Sequence, residues 1–364
     1  MTSFINYPPA PPDWPGGYWW HWLVFTLIII AFVMTMALIF IWYERRLVGR
    51  FQSRLGPNRA GPFGFFQPVA DAIKILTKED IITSRGDRVI FWIAPIVGFV
   101  SVVMIFAVVP FWEGAVLVDL DAGLLFVLAM GVIPSIGIFM AGWASNNKYA
   151  LIGAIREVAL LISYEIPMGL ALVGVILMAN SLSLEGIVQA QEIPFFVLQP
   201  LGFFVFLVAS LAEINRTPFD LIEADSEIVA GYNIEYSGAK FAVLYLTEYA
   251  EALTASVLLS TLFLGGWRGP ILPPVIWFLI KVMAMFTLIV WIRSTLPRLR
   301  IDQMMSFNWK FLLPLALINL AVVTLVVFSS LPGWVAFISG SLVLIIYLAL
   351  WSVIFRRGGK FVQT

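Results

Sequence analysis

The sequence predicts an all-α polytopic membrane protein of nine transmembrane helices, with its N-terminus outside and its C-terminus inside. Three observations predict it. The 364 residues are 61% hydrophobic and 12% charged, with a mean hydropathy of +0.95, whereas soluble domains are about a quarter charged. Apolar runs recur at the length of roughly 20 residues that carries a helix across hydrocarbon. Lys and Arg also gather in alternate connections, and that asymmetry sets orientation.

Uncharged runs place spans at Trp22–Tyr43, Val89–Trp112, Gly123–Asn147 and Ile193–Ala212. Three further spans carry charge: about Val158–Asn180 with Glu165, Phe241–Leu264 with Glu248 and Glu251, and Val275–Ile292 with Lys281. Residues 311–355 carry none, and Pro332–Gly333 divides them into two helices because that pair punctuates a turn. With the N-terminus outside, all of the 22 basic residues except Arg268 and Lys281 fall on the inner side. The chain then forms a single membrane domain, residues 1–364, with inner loops at 44–88 and 213–240. The first of these carries short amphipathic helices.

Composition also excludes chemistry. The absence of cysteine removes disulfides and cysteine-bound iron–sulfur clusters. The single His21 sits among Tyr18, Trp19, Trp20 and Trp22, a grouping that favours the headgroup layer over a metal or proton-relay role. No basic patch and small-residue cleavage site precede the first span, so it reads as retained. No metal site and no nucleic-acid partner are expected.

Two constellations carry the functional signal. Between Leu211 and Gly238 lie Glu213, Asp220, Glu223, Asp225, Glu227 and Glu235. Charges near hydrocarbon depth cost roughly 2.5 to 3.5 kcal/mol each and persist where they serve ions, protons or a polar ligand. Crowded carboxylates titrate as a coupled unit and can store a proton. A solvated acidic loop is the alternative, opposed by the interleaved Ile222, Ile228, Tyr232, Ile234 and Tyr236. Glu165 precedes Pro167, whose kink can open a polar pocket beside an acid. Glu248 and Glu251 share a helix face. With Glu213 they would line one polar track, and Lys281 would be their charge partner. The second constellation is the loop from Glu44 to Asp80. Its glycines and prolines demand particular turns, and Asp71 lies three positions before Lys74 on one helical face. That pattern reads as a docking surface and a shaped pocket.

These residues resemble the H subunit of the proton-pumping NADH:quinone oxidoreductase, respiratory complex I, known in mitochondria as its subunit 1. The resemblance runs from about Trp22 to Phe355. It rests on ERR at Glu44–Arg46, GPNRAGPFGFFQPVADAIK at Gly56–Lys74, ISYE ending at Glu165, AEINRTPFDLIEADSE at Ala212–Glu227, NIEY ending at Tyr236, and TLPRLRIDQ at Thr295–Gln303. It implies eight family-core spans plus one extra, in the inner (plasma) membrane of a bacterium. Arg45, Asp71, Lys74, Arg216, Asp220, Arg293 and Arg298 would line or shape a chamber for ubiquinone or menaquinone. Glu165, Glu213, Glu223, Asp225, Glu227, Glu235 and Glu248 would form the proton path. The chain would bind no electron-transfer cofactor, leaving FMN and iron–sulfur clusters to partner subunits. Those partners would be hydrophilic quinone-module subunits at the inner face, with small membrane subunits and antiporter-like subunits alongside, in membrane lipid. Two departures stand out. Family members often have Glu-Gly-Glu-Ser-Glu where this chain has Glu223-Ala224-Asp225-Ser226-Glu227, and Tyr where it has Ile301.

Two other functions fit the same features. One is the homologous membrane subunit of a membrane-bound hydrogenase, whose partners would bind nickel and iron. The other is a stand-alone proton or ion secondary transporter. Paired repeats with broken helices would mark a transporter, and none is visible in the sequence.

Overall fold

The computed structural model describes residues 5–6, 18–220, 231–329 and 333–357, so Glu223, Asp225 and Glu227 lie outside the described residues. Long helices dominate: α1 (Tyr18–Phe51), α3 (Arg88–Ile105), α4 (Gly123–Ala144), α5 (Lys148–Ala179), α9 (Gly238–Phe263) and α10 (Pro274–Thr295). Shorter ones are α2 (Gln67–Leu76), α6 (Leu184–Ala190), α7 (Phe195–Leu198), α8 (Pro200–Glu213) and α11 (Ile301–Phe307). A π turn at Asn308–Leu312 joins α11 to α12 (Leu313–Phe328), and α13 (Gly333–Arg357) follows. The one strand pairing among the described residues is two residues long, Ile5–Asn6 against Asp119–Leu120. Among the described residues, seven helical segments are long and apolar enough to cross a membrane, and Pro200–Glu213 and Phe337–Ala349 are shorter apolar helices.

Local chemistry sets the helix ends. Asp87 caps α3 by accepting from the Val89 and Ile90 amides, Asn147 caps α5 at Tyr149, and Ser183 caps α6 at Gly186. Asn180, at φ 51, turns the chain out of α5. The predicted inner-loop helix is α2, with Pro68 in its first turn. Two helices differ in extent from the uncharged runs. Helix α1 continues past Tyr43 to Phe51, because nothing between them interrupts its hydrogen bonds. The predicted continuous span Ile193–Ala212 is broken. Pro194 and Pro200 lack amide donors, and Gln199 between α7 and α8 takes φ −131, ψ 62. The 14 residues of α8 span only about 21 Å. A broken helix therefore exists where the sequence pattern shows a continuous one.

Helix α5 is the hub, packing on α4, α8 and α12. Tyr164, Leu160 and Leu172 on it are fully buried. Helix α9 packs on α3, α1 and α10. Buried rings lock these contacts: Phe40 of α1 stacks on Phe286 of α10 at 3.8 Å, and Phe91 of α3 stacks on Tyr236 at 4.0 Å. Gly153 lets α5 approach the short 3₁₀ turn Gly231–Asn233. A Cβ there would lie 2.8 Å from the Gly231 Cα.

Gly153→Ala should therefore overpack this contact, at a cost of about 1 to 3 kcal/mol. The readouts are the amount of assembled chain in membranes and its thermal unfolding midpoint. Gly169→Ala on the same helix meets open space within 4 Å and should leave both unchanged or slightly improved.

Candidate functional site

The carboxylates of α5, α8 and α9 converge on two neighbouring cavities. The larger, about 240 Å³, is lined by Glu165 of α5, Glu213 at the end of α8 and Glu251 of α9, with apolar residues such as Val127, Leu172, Phe206 and Leu262. Gly131 of α4 leaves room for Glu213, whose Oε1 would lie 3.2 Å from an added Cβ. The smaller, about 20 Å³, is lined by Glu157, Glu248, Glu251, Asn215 and Tyr232. Glu251, Pro134 and Ile138 line both. Five carboxylates thus line this pair of cavities, an acid track whose two parts share Glu251. Burial first, and then the charges of Glu157, Glu248 and Glu251, push the Tyr232 phenol well above its ordinary value. Tyr232 thus remains a protonated group facing the acids at neutral pH.

A second cluster lies one residue from the first. Helix α8 ends in a turn in which Asn215 takes the left-handed conformation, φ 50, which asparagine tolerates. Asn215 Nδ2 donates to Glu157 Oε1 at 3.0 Å. The next residue, Arg216, is buried and donates to Glu44 Oε1 at 3.2 Å, while its guanidinium lies 4.5 Å from the Tyr249 ring centroid. Glu44 also accepts from Arg293. One buried carboxylate from α1 therefore faces two guanidiniums, from the α8 turn and from α10. Leu299 N–H bonds Pro218 O at 3.0 Å, which fastens the strand carrying Arg298 to the same turn. Arg298 Nε and Nη2 are buried and have no hydrogen-bond partner among the described residues.

The remaining predicted residues are placed as follows. Arg45 of α1 pairs with Asp71 of α2, and Gln67 also donates to Asp71. Lys74, on the same helix as Asp71, is exposed. Burial works against the Asp71 carboxylate, but hydrogen bonds from Arg45 and Gln67 outweigh it and hold the carboxyl below its usual range. Asp220 is partly buried beside Phe219. Glu235 accepts from Asn147 Nδ2 at 2.8 Å. Lys281 pairs with no carboxylate among the described residues. Its Nζ donates to the carbonyls of Leu264, Gly266 and Arg268 at 2.7, 2.9 and 2.7 Å, capping the C-terminal end of α9. Carbonyls left without helical partners there attract a cation more directly than distant carboxylates do. The sequence pattern leaves Glu44, Glu157 and Asn215 outside the site. The available signal was an acid directly at the end of an apolar run, for Glu44 beside Arg45 and Arg46 and for Glu157 beside Arg156.

Residues 24–324 match the family described as NADH dehydrogenase. The chain belongs to that family. Among similar proteins, the NADH-quinone oxidoreductase H subunit of Dehalococcoides mccartyi strain CBDB1 is 59% identical over 84% of this chain and 87% of its own length. The protein of the same name from D. mccartyi strain ATCC BAA-2266 is 54% identical over 94% and 98%. An NADH-quinone oxidoreductase H subunit of Syntrophobacter fumaroxidans, the one numbered 2, is 45% identical over 81% and 92%. In this member of the NADH dehydrogenase family, the acid track and the basic cluster both fall within the matched residues.

Glu44→Ala would leave Arg216 and Arg293 facing each other without their shared carboxylate. Loss of one partner from a buried ion pair costs roughly 3 to 5 kcal/mol, and the assembly's thermal midpoint should drop accordingly, with Glu44→Asp between it and wild type. For Asp71, whose folded carboxyl titrates below the unfolded value near ~3.9, stabilisation is present above about pH 4 and fades as pH falls further. Asp71→Asn should therefore speed cleavage of segment 52–66 by thermolysin at neutral pH. With pepsin at about pH 3 the difference from wild type should close.

Proposed function

We propose that this chain is the membrane subunit of a proton-translocating NADH:quinone oxidoreductase. It forms the quinone-binding chamber and couples quinone reduction to proton movement through its acid track. The carrying observation is the adjacency of Asn215 and Arg216: consecutive side chains of one turn touch Glu157 of the acid track and Glu44 of the basic cluster. Nine spans, with the N-terminus outside, put Arg45, Asp71, Lys74, Arg216, Asp220, Arg293 and Arg298 on the inner side. Hydrophilic subunits there supply electrons from flavin and iron–sulfur clusters, while small membrane subunits and antiporter-like subunits lie alongside. The membrane is the bacterial inner membrane. Loop 44–88 serves docking and the chamber, and residues 213–240 serve the acids.

The chemistry of the basic cluster suits a quinone headgroup. The Arg298 nitrogens that have no partner among the described residues are donors for a carbonyl oxygen, and arginine presents them in a fixed planar fork. Neither acid-lined cavity reaches these arginines, so the link to the acids is electrostatic and runs through the 214–220 turn. Reduction places negative charge near Arg216 and Asp220. Glu223, Asp225, Glu227 and Glu235 follow in the chain and respond by taking up protons, because a nearby negative charge favours the neutral acid. The change in charge then reaches Glu248, Glu213 and Glu165, whose cavity offers room for water.

Replacing Glu165 or Glu213 with Gln should lower inhibitor-sensitive NADH:quinone reductase coupled to proton movement by roughly tenfold or more, the scale of losing a proton-transfer group. NADH:ferricyanide reduction by the hydrophilic arm should persist. Equal loss of both activities would point to failed assembly instead.

A further inference from the structure

Pro167 lies two residues beyond Glu165, inside the apolar segment Lys148–Ala179. Proline has no amide hydrogen, so the carbonyl four positions earlier, that of Ser163, is left without its helical donor. In hydrocarbon such a group must be satisfied by another element. Here Asn308 provides the bond: its Nδ2 reaches Ser163 O at 2.6 Å, and the residue is 1% exposed. On the next residue of α5, the Tyr164 hydroxyl donates to Met304 O at 3.0 Å. Two buried bonds therefore clasp the α5 turn immediately before Glu165.

Both partners belong to one segment. Met304 lies in α11, and Asn308 opens the π turn Asn308–Leu312. Turns of this kind are rare and collect at functional sites. The strand that leads into α11 is fastened by Leu299 N–H to Pro218 O, in the turn that carries Arg216 and Asp220. Phe219 of that turn packs edge-on against Tyr164 at 5.1 Å and lies tilted against Phe307 at 6.2 Å, and Phe307 stacks on Phe311 at 4.8 Å. A chain of packed rings and buried hydrogen bonds thus runs from the 214–220 turn, through α11, to the backbone that presents Glu165 to the larger cavity.

We propose that Asn308 and Tyr164 are positioning residues for Glu165: the clasp they form with the π turn fixes how the carboxylate faces the cavity and ties it mechanically to the 214–220 turn. The proposal rests on the reading of Glu165 as a proton-path carboxylate. It gives the turn a second, mechanical route to that acid beside the electrostatic one.

The test uses membrane vesicles carrying the intact assembly, with Asn308→Leu, Tyr164→Phe, Glu165→Gln and the double variant Asn308→Leu/Glu165→Gln. Ferricyanide reductase reports assembly, and protons moved per NADH oxidised by quinone reports coupling. Asn308→Leu keeps the volume and removes the donor. In assembled enzyme it should cut the proton-to-electron ratio by several-fold, up to about tenfold for the loss of a buried bond, and the double variant should be no worse than Glu165→Gln alone. A purely structural role would change abundance and leave the ratio intact. If Asn308→Leu does not assemble, Tyr164→Phe decides, since it keeps the ring on Phe219 and loses only the hydroxyl. A wild-type ratio in the deciding variant, or additive losses in the double variant, while Glu165→Gln is impaired, overturns the proposal. A wild-type ratio in Glu165→Gln overturns the underlying reading of that acid as well.

Discussion

Any ionisable group carried into hydrocarbon must meet a counter-charge, a hydrogen bond or an internal cavity, because leaving it bare costs more than a single helix contact returns. The architecture follows from that constraint. Glu44 is satisfied by two arginines, Glu157 by the Asn215 carboxamide, and Lys281 by three backbone carbonyls at the end of α9. Glu165, Glu213 and Glu251 are instead gathered around open space. The groups with fixed partners hold helices together.

The turn after α8 joins the two kinds of site. Its left-handed asparagine sends consecutive side chains to different partners, so the acid track and the arginine cluster are one peptide bond apart. A neutral carboxamide on Glu157 and a permanent cation on Glu44 give this turn contrasting responses: the first tolerates either protonation state of its acid, and the second favours the ionised one. The family's membrane subunit needs such a junction if chemistry at one place is to be felt at another.

Much of this was readable from residue order. Apolar run length located the helices, and the carboxylates of α5, α8 and α9 stand out against an uncharged background. Other features were not readable. The break at Gln199 interrupts a run that carries no charge, and only the backbone shows that Pro194 precedes one short helix and Pro200 opens the next. Lys281 looked like a partner for acids because both are rare in the membrane; the fold places it by the frayed end of α9. Helical spacing put Asp71 and Lys74 on one face, but it could not show that Arg45, 26 positions earlier, bonds Asp71.

By itself the sequence determined the membrane class, the approximate helices, the family and the identity of the candidate proton-bearing side chains. These depend on composition and local periodicity, which neighbouring residues specify. Only the tertiary structure decided which of those side chains share a cavity, that Glu44, Glu157 and Asn215 belong with them, and that Asn308, 145 positions from Ser163, supplies the hydrogen bond that Pro167 withholds from it. Such partnerships join residues far apart in the chain, and they are fixed by how helices pack and where their backbones lack donors, which residue order alone does not encode in any local pattern.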